Sequence, residues 1–254
     1  MKLFQRIFFA AVLSGLAAGV AMSAIQQWQV APIIIAAEVF ETAEPEVAVA
    51  EHTHEVGEAE HDHAATEPAG HEHDEDAWAP QDGAERTFYT VLANLLNSIG
   101  FALVLGAVSV LAGLEINARN GLVWGLAGFA AFQLAPAFGL APELPGMAAA
   151  DLGTRQLWWW ATALATGLAA LAIAKYRNWP AVVIGAALIL APHIVGAPLA
   201  PDEPTAVPAH LATEFAAKSL GAGAVFWFVV GPLFGWLNER FARMPAFALK
   251  GATA

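Results

Sequence analysis

FYTVLANLLNSIGFALVLGAVSVLAG, residues 88–113, is a run of 26 positions without one Asp, Glu, Lys or Arg. A helix needs about 20 predominantly apolar residues to cross the hydrocarbon core of a bilayer, so this stretch reads as a membrane-spanning helix. Asn94, Asn97 and Ser98 are polar side chains at membrane depth within it. Asn94 and Asn97 lie one turn apart and share a face. They either line a hydrophilic path or hydrogen-bond between helices, which is the commoner role for such groups in a membrane.

Five more apolar segments surround it: residues 7–35 before it, and 121–140, 156–174, 179–198 and 219–237 after it. Composition agrees. The 254 residues are 57% hydrophobic and only 13% charged, where soluble domains carry about 25% charged residues. The expected fold is all-α, a polytopic integral membrane bundle of about six transmembrane helices with a disordered, acid-rich external loop. It divides into a first transmembrane helix (1–40), the loop (41–86) and a five-helix membrane bundle (87–254). The first segment has a second reading as a cleavable signal peptide, with Lys2 and Arg6 ahead of an apolar run and small residues near Ser23. Its apolar stretch exceeds the roughly 7–15 residues of a signal core, which favours a retained anchor.

Charge sets the orientation. Cytoplasmic loops of membrane proteins are enriched in Lys and Arg. Six spans with both termini inside put Lys2, Arg6, Arg119, Lys175, Arg177, Arg240, Arg243 and Lys250 in the cytoplasm, and leave Arg86, Arg155 and Lys218 outside. Among acidic residues only Glu115 and Glu239 then fall inside. Trp124, Trp179 and Trp236 would mark cytoplasmic helix ends, and Trp158, Trp159 and Trp160 an aromatic belt at the outer interface. Gly15/Gly19, Gly121/Gly125 and Gly231/Gly235 offer small faces for close helix packing.

The external loop has the most chemical character. Of the 23 acidic residues, 16 lie between Glu38 and Glu85, with no Lys or Arg among them. Such a block reads as disordered and attracts cations rather than nucleic acid or anionic lipid. Within it stand three His-x-His pairs, His52/His54, His61/His63 and His71/His73. In an extended segment, residues two apart point the same way, so each pair presents two imidazoles together. Imidazole nitrogen with nearby Asp or Glu oxygens suits Ni, Cu, Zn or Co. The plainer reading is a low-complexity spacer whose histidines buffer pH.

Two further histidines are candidates. His193 follows Pro192, and a proline inside a span removes a hydrogen bond and frees a carbonyl, so the fifth span is expected to be interrupted there. Broken helices with polar groups at the break are a usual construction for transport sites; the alternative is an interfacial histidine bonded to a neighbouring carbonyl. His210 and Glu214 lie four apart on a helix started by Pro208 and share a face. They either chelate together, or Glu214 simply pairs with Lys218 on an amphipathic surface helix, which is favoured.

Catalysis finds no support. The sequence has no H-E-x-x-H, no G-x-S-x-G elbow and no G-x-x-x-x-G-K-[ST] phosphate loop, no acidic residue in mid-span and no cysteine. No organic cofactor is evident, and the chain reads as a non-enzyme.

The residues Leu3-Phe4-Gln5-Arg6, Gln26-Gln27 and Ala37-Glu38-Val39-Phe40 resemble the CbtA family of predicted cobalt transporter subunits. So do the Pro-Glu-Leu-Pro-Gly turn at 142–146, the Asp-Leu-Gly-Thr-Arg-Gln-Leu-Trp-Trp run at 151–159 and Pro-His-Ile-Val-Gly-Ala-Pro at 192–198. The resemblance covers nearly the whole chain outside an insert at about 47–82. It implies a bacterial inner-membrane protein linked to cobalt uptake for cobalamin synthesis, with a small one-span partner, CbtB. It also implies five spans where the charge distribution implies six.

The leading hypothesis is therefore a cobalt uptake subunit in the bilayer. Its periplasmic loop collects the ion, which passes toward a neck near Glu38, Glu143, Asp151, His193 and His210. A membrane-anchored metal chaperone or sensor, and a nickel or zinc carrier, are the alternatives, and a homo-oligomer is a further candidate assembly. The charge distribution predicts that cysteines placed at Ala64 and Ala254 differ in intact cells: an impermeant thiol reagent should label only the former. Equal labelling of both from outside would overturn six spans.

Overall fold

The computed structural model describes residues 3–41, 80–202 and 204–244. Within them the chain forms six apolar helices: α1 (Leu3–Phe40), α2 (Ala84–Ala112), α3 (Gly121–Ala137), α4 (Leu152–Tyr176), α5 (Trp179–Val195) and α6 (Ala209–Ala242). Each coincides with one apolar segment of the sequence. Four are long and apolar enough to cross a membrane, and α3 and α5 are shorter. No strand occurs among the described residues. The architecture is that of a membrane helix bundle.

The helices run alternately between two ends. At one end Arg6 of α1 pairs with Glu115 at 3.1 Å, and Lys175 donates to the Ala112 carbonyl at 3.2 Å. Asn238 of α6 donates to the Ile116 carbonyl at 2.7 Å at the same end. At the other end Arg86 pairs with Glu38, Arg155 with Glu143, and Thr205 donates to the Gly146 carbonyl. The first is the basic end and the second the acidic end.

Helix α6 is the hub. It packs along α1 and α3, α1 packs along α2, the second half of α3 lies on α4, and α4 carries α5. Without a hydrophobic driving force between helices in lipid, close packing rests on small residues. Gly121 and Gly125 of α3 face Gly231 and Gly235 of α6, where an added Cβ would collide with the opposite backbone. A Cβ on Gly15 of α1 would stand 2.7 Å from the Ile99 Cα of α2. The glycine faces expected from the sequence are thus real helix contacts. Between them Phe101, Phe132, Phe226 and Trp227 form an aromatic core, with Phe132 stacked on Trp227 at 5.8 Å.

Three local expectations are corrected. Helix α5 is not interrupted at Pro192; it continues to Val195. A proline in the last turn costs little of the ladder, and the stop comes from Gly196, whose φ of +90° suits glycine. The Pro192 carbonyl accepts from the Gly196 N–H at 3.0 Å and from the Trp158 indole at 3.1 Å, which ties the end of α5 to α4. Trp158 is consequently buried inside the bundle and does not face outward as a belt residue would, whereas Trp160 is exposed. The surface helix expected after Pro208 is the start of α6, because no helix breaker separates it from the apolar stretch beyond.

Asn94 donates to Gln26 at 2.6 Å and to Ser23 at 3.2 Å, joining α2 to α1 as interhelical glue. Gln26 sits in a π-helical turn of α1, Gln26–Val30. A second π-helical turn, Ala130–Leu134, lies in α3.

The glycine contact yields a paired prediction. Gly231→Leu should separate α3 from α6 and cost at least the roughly 1–3 kcal/mol of an overpacked core. Gly100→Leu should be tolerated, because no atom lies within 4 Å of a Cβ there. Thermal unfolding of the detergent-solubilised variants, followed by size-exclusion elution, checks the difference.

Candidate ion-handling site

The six loop histidines, His52, His54, His61, His63, His71 and His73, lie outside the described residues, as does most of the segment 41–86 expected to be disordered. The other candidates all fall at the acidic end. Each has a local environment of its own.

Glu38, at the end of α1, receives both guanidinium nitrogens of Arg86, which also reaches Asp82 at 3.1 Å. This fork ties the last turn of α1 to the first turn of α2. Glu143, in the turn after α3, pairs with Arg155 of α4 at 2.6 Å. Asp151 is the N-cap of α4: its Oδ1 accepts the Thr154 N–H at 2.9 Å, and its carbonyl accepts the Thr154 hydroxyl at the same distance.

His193 is partly buried in an aromatic clasp, edge-on to Trp158 at 5.7 Å and to Phe138 at 6.3 Å. His210 is exposed. Glu214 binds Lys218 at 2.7 Å, so the i,i+4 partner it takes is the lysine. Among the described residues no three His, Asp or Glu side chains gather where they could hold a metal ion. Glu38, Glu143, Asp151, His193 and His210 thus share one end of the bundle without converging.

The polar space lies elsewhere. A cavity of about 410 Å³ opens between α3, α4 and α6. Glu143 and Arg155 stand beside it, Gln156 and Ser219 line it, and Trp159 and Phe132 wall it. Gln133 also lines it, from the π-helical turn of α3. π-Helical turns inside α-helices are frequent at functional sites, because they turn side chains out of the regular register. The Gln133 Oε1 is buried and has no hydrogen-bond partner. The carboxamide lies over Gly223 of α6, where any Cβ would overlap it.

A larger cavity, about 710 Å³, runs between α2, α3 and α4 toward the basic end. Its walls are mostly Leu, Val, Ala and aromatic side chains, which give an ion few ligands.

In the sequence Gln133 is only a polar residue inside the apolar segment 121–140, and Arg155 only one of three basic residues on the outer side. The available signal was an arginine in the first turn of an apolar helix, 12 residues after a turn glutamate. What no spacing could supply was the glycine opposite Gln133.

Searches of curated proteins and of solved structures returned no significant match. The family model CbtA, described as "probable cobalt transporter subunit", matches residues 4–239, nearly the whole of an apolar, up-and-down helical bundle. This chain therefore belongs to the CbtA family, a family of transporter subunits and not of enzymes.

Proposed function

We propose that the chain is the inner-membrane subunit of a bacterial uptake system for cobalt, spanning the bilayer six times with both termini in the cytoplasm. The family match carries the cobalt reading, and the observation that carries the topology is the segregation of charge along the bundle. Arg6, Arg119, Lys175, Arg177, Arg240 and Arg243 belong to one end, and Glu38, Asp82, Glu143 and Asp151 to the other. The positive-inside rule turns the first end to the cytoplasm and the second to the periplasm. The shorter helix α5, with 17 residues, still reaches the low end of the roughly 17–25 residues that span a bilayer.

On this reading the segment 41–86 concentrates the cation outside, by electrostatic attraction and weak chelation through its six histidines. The ion then meets Glu38, Glu143, Asp151, His193 and His210 at the acidic end. The word "subunit" in the family description supports a partner, and a small one-span protein of the CbtB kind fits that place. Borderline nitrogen and oxygen donors suit cobalt but also nickel and zinc, so the competing metals belong in the same assay.

The loop should act as a collector. Deleting residues 47–82 should weaken uptake of radiolabelled cobalt at scarce metal and leave it nearly normal at saturating metal. Loss at every concentration would make the loop part of the conduction path. Binding of metal without accumulation by cells, with or without the partner, would instead support a chaperone or sensor.

His193 is proposed as a ligand near the outer mouth. His193→Ala should then lower uptake even at saturating metal, with normal amounts of protein in the membrane, and His193→Gln should not restore it. Normal uptake by the alanine variant would leave His193 a packing residue of the Trp158 clasp.

A further inference from the structure

The cavity between α3, α4 and α6 has a feature that packing alone does not explain. A buried acceptor left without a partner costs about 1–3 kcal/mol, and the Gln133 Oε1 is such an acceptor. The fold nonetheless reserves the place: Gly223 clears α6 for the carboxamide, and the π-helical turn swings Gln133 toward it. Gln133 lines the cavity while its Oε1 is sealed over Gly223, so a ligand that brings positive charge or a hydrogen would satisfy that oxygen once the carboxamide turns into the space.

At the same cavity stands a carboxylate, Glu143, and it is occupied. Arg155 holds it at 2.6 Å, with the two side chains 29% and 23% exposed, so the pair is only weakly screened by solvent. The guanidinium has a second place to go. Asp151 precedes Arg155 by four residues at the start of α4, and residues four apart on a helix are neighbours. The Asp151 carboxylate is exposed and engaged only by the Thr154 amide. Arg155 can therefore leave Glu143 without losing a carboxylate partner.

We propose that this cavity is the outer binding chamber for a divalent cation, and that Arg155 is its gate. A cation with a hard or borderline preference for oxygen displaces the guanidinium from Glu143, Arg155 swings to Asp151, and the ion takes the Glu143 carboxylate and the Gln133 carboxamide oxygen as ligands. Gln156 and Ser219 supply neutral oxygens along the way. No bond is made or broken beyond this exchange of ion pairs. A divalent charge competes well with a guanidinium for one carboxylate, and the neutral oxygens leave the site loose enough to release its ion. This inference rests on the transport reading for its direction, but the site itself is testable without transport.

The test uses the purified full chain with the six loop histidines changed to alanine, titrated with cobalt and followed by quenching of tryptophan fluorescence, since Trp159 and Trp160 line the cavity. Quenching should saturate. Arg155→Gln frees Glu143 and should lower the half-saturating concentration by about tenfold, the scale of a partly buried charge pair. Glu143→Gln should raise it by at least about tenfold on the same scale, and Gln133→Leu should raise it several-fold. Both charge variants break the same ion pair, so opposite shifts identify a gate. Equal shifts, or equal losses of monodisperse protein, identify a mere loop clamp and overturn the proposal, as does the absence of saturable quenching. If the shifts hold while cells expressing the unaltered chain with its partner accumulate no cobalt, the chamber stands and the transport reading fails.

Discussion

Everything in this bundle depends on how closely α3 can approach α6. In lipid, the apolar faces of two helices gain nothing by hiding from solvent, so their association rests on contact itself. Along one face of α6 the residues come four apart: Gly223, Trp227, Gly231 and Gly235. Such residues share a side of the helix. Gly231 and Gly235 admit the backbone of α3, Trp227 fills the space over Gly125 and Gly128, and Gly223 takes the Gln133 carboxamide. One stripe therefore sets the helix spacing, seats the aromatic core and places the polar group of the cavity.

The two ends of the bundle are closed by different means. The basic end is held by single polar side chains reaching backbone carbonyls, Lys175 to Ala112 and Asn238 to Ile116, with the Arg6–Glu115 pair beside them. The acidic end is held by partly screened ion pairs, Arg86 with Glu38 and Arg155 with Glu143. Exposed pairs contribute little to stability, and these are about two-thirds covered. Carboxylates held in such pairs remain exchangeable with other cations, whereas a capped carbonyl does not. The two arginine–carboxylate pairs between helices at the acidic end stand on the side where the chain enters and leaves the segment rich in histidine and acid.

Much of the architecture was legible in the sequence. The six apolar runs became the six helices, the charge counts anticipated which residues share an end, and Gly121/Gly125 with Gly231/Gly235 proved to be contact faces. Asn94 behaved as glue. The structure departs from these expectations at Pro192, at Trp158 and after Pro208. Pro192 alone suggests a break, but Gly196, four residues on, sets the end of the helix and leaves the proline in its last turn. The run Trp158–Trp160 resembles an aromatic belt, but the Pro192 carbonyl that binds the Trp158 indole lies 34 residues away on another helix.

Hydropathy and charge are local properties of the chain, and they suffice to decide where helices lie, that the fold is helical and membrane-like, and which ends are basic or acidic. The pairing of charges is not local. Glu38 and Arg86 are 48 residues apart, and Glu143 meets Arg155 across a turn into another helix. Only the tertiary structure could decide that these carboxylates are held by arginines, that His193 is clasped by Trp158 and Phe138, and that the Gln133 Oε1 is buried without a partner. The physical reason is that a polar side chain in a membrane protein takes its role from what the neighbouring helix presents, as Gly223 of α6 does for Gln133 of α3.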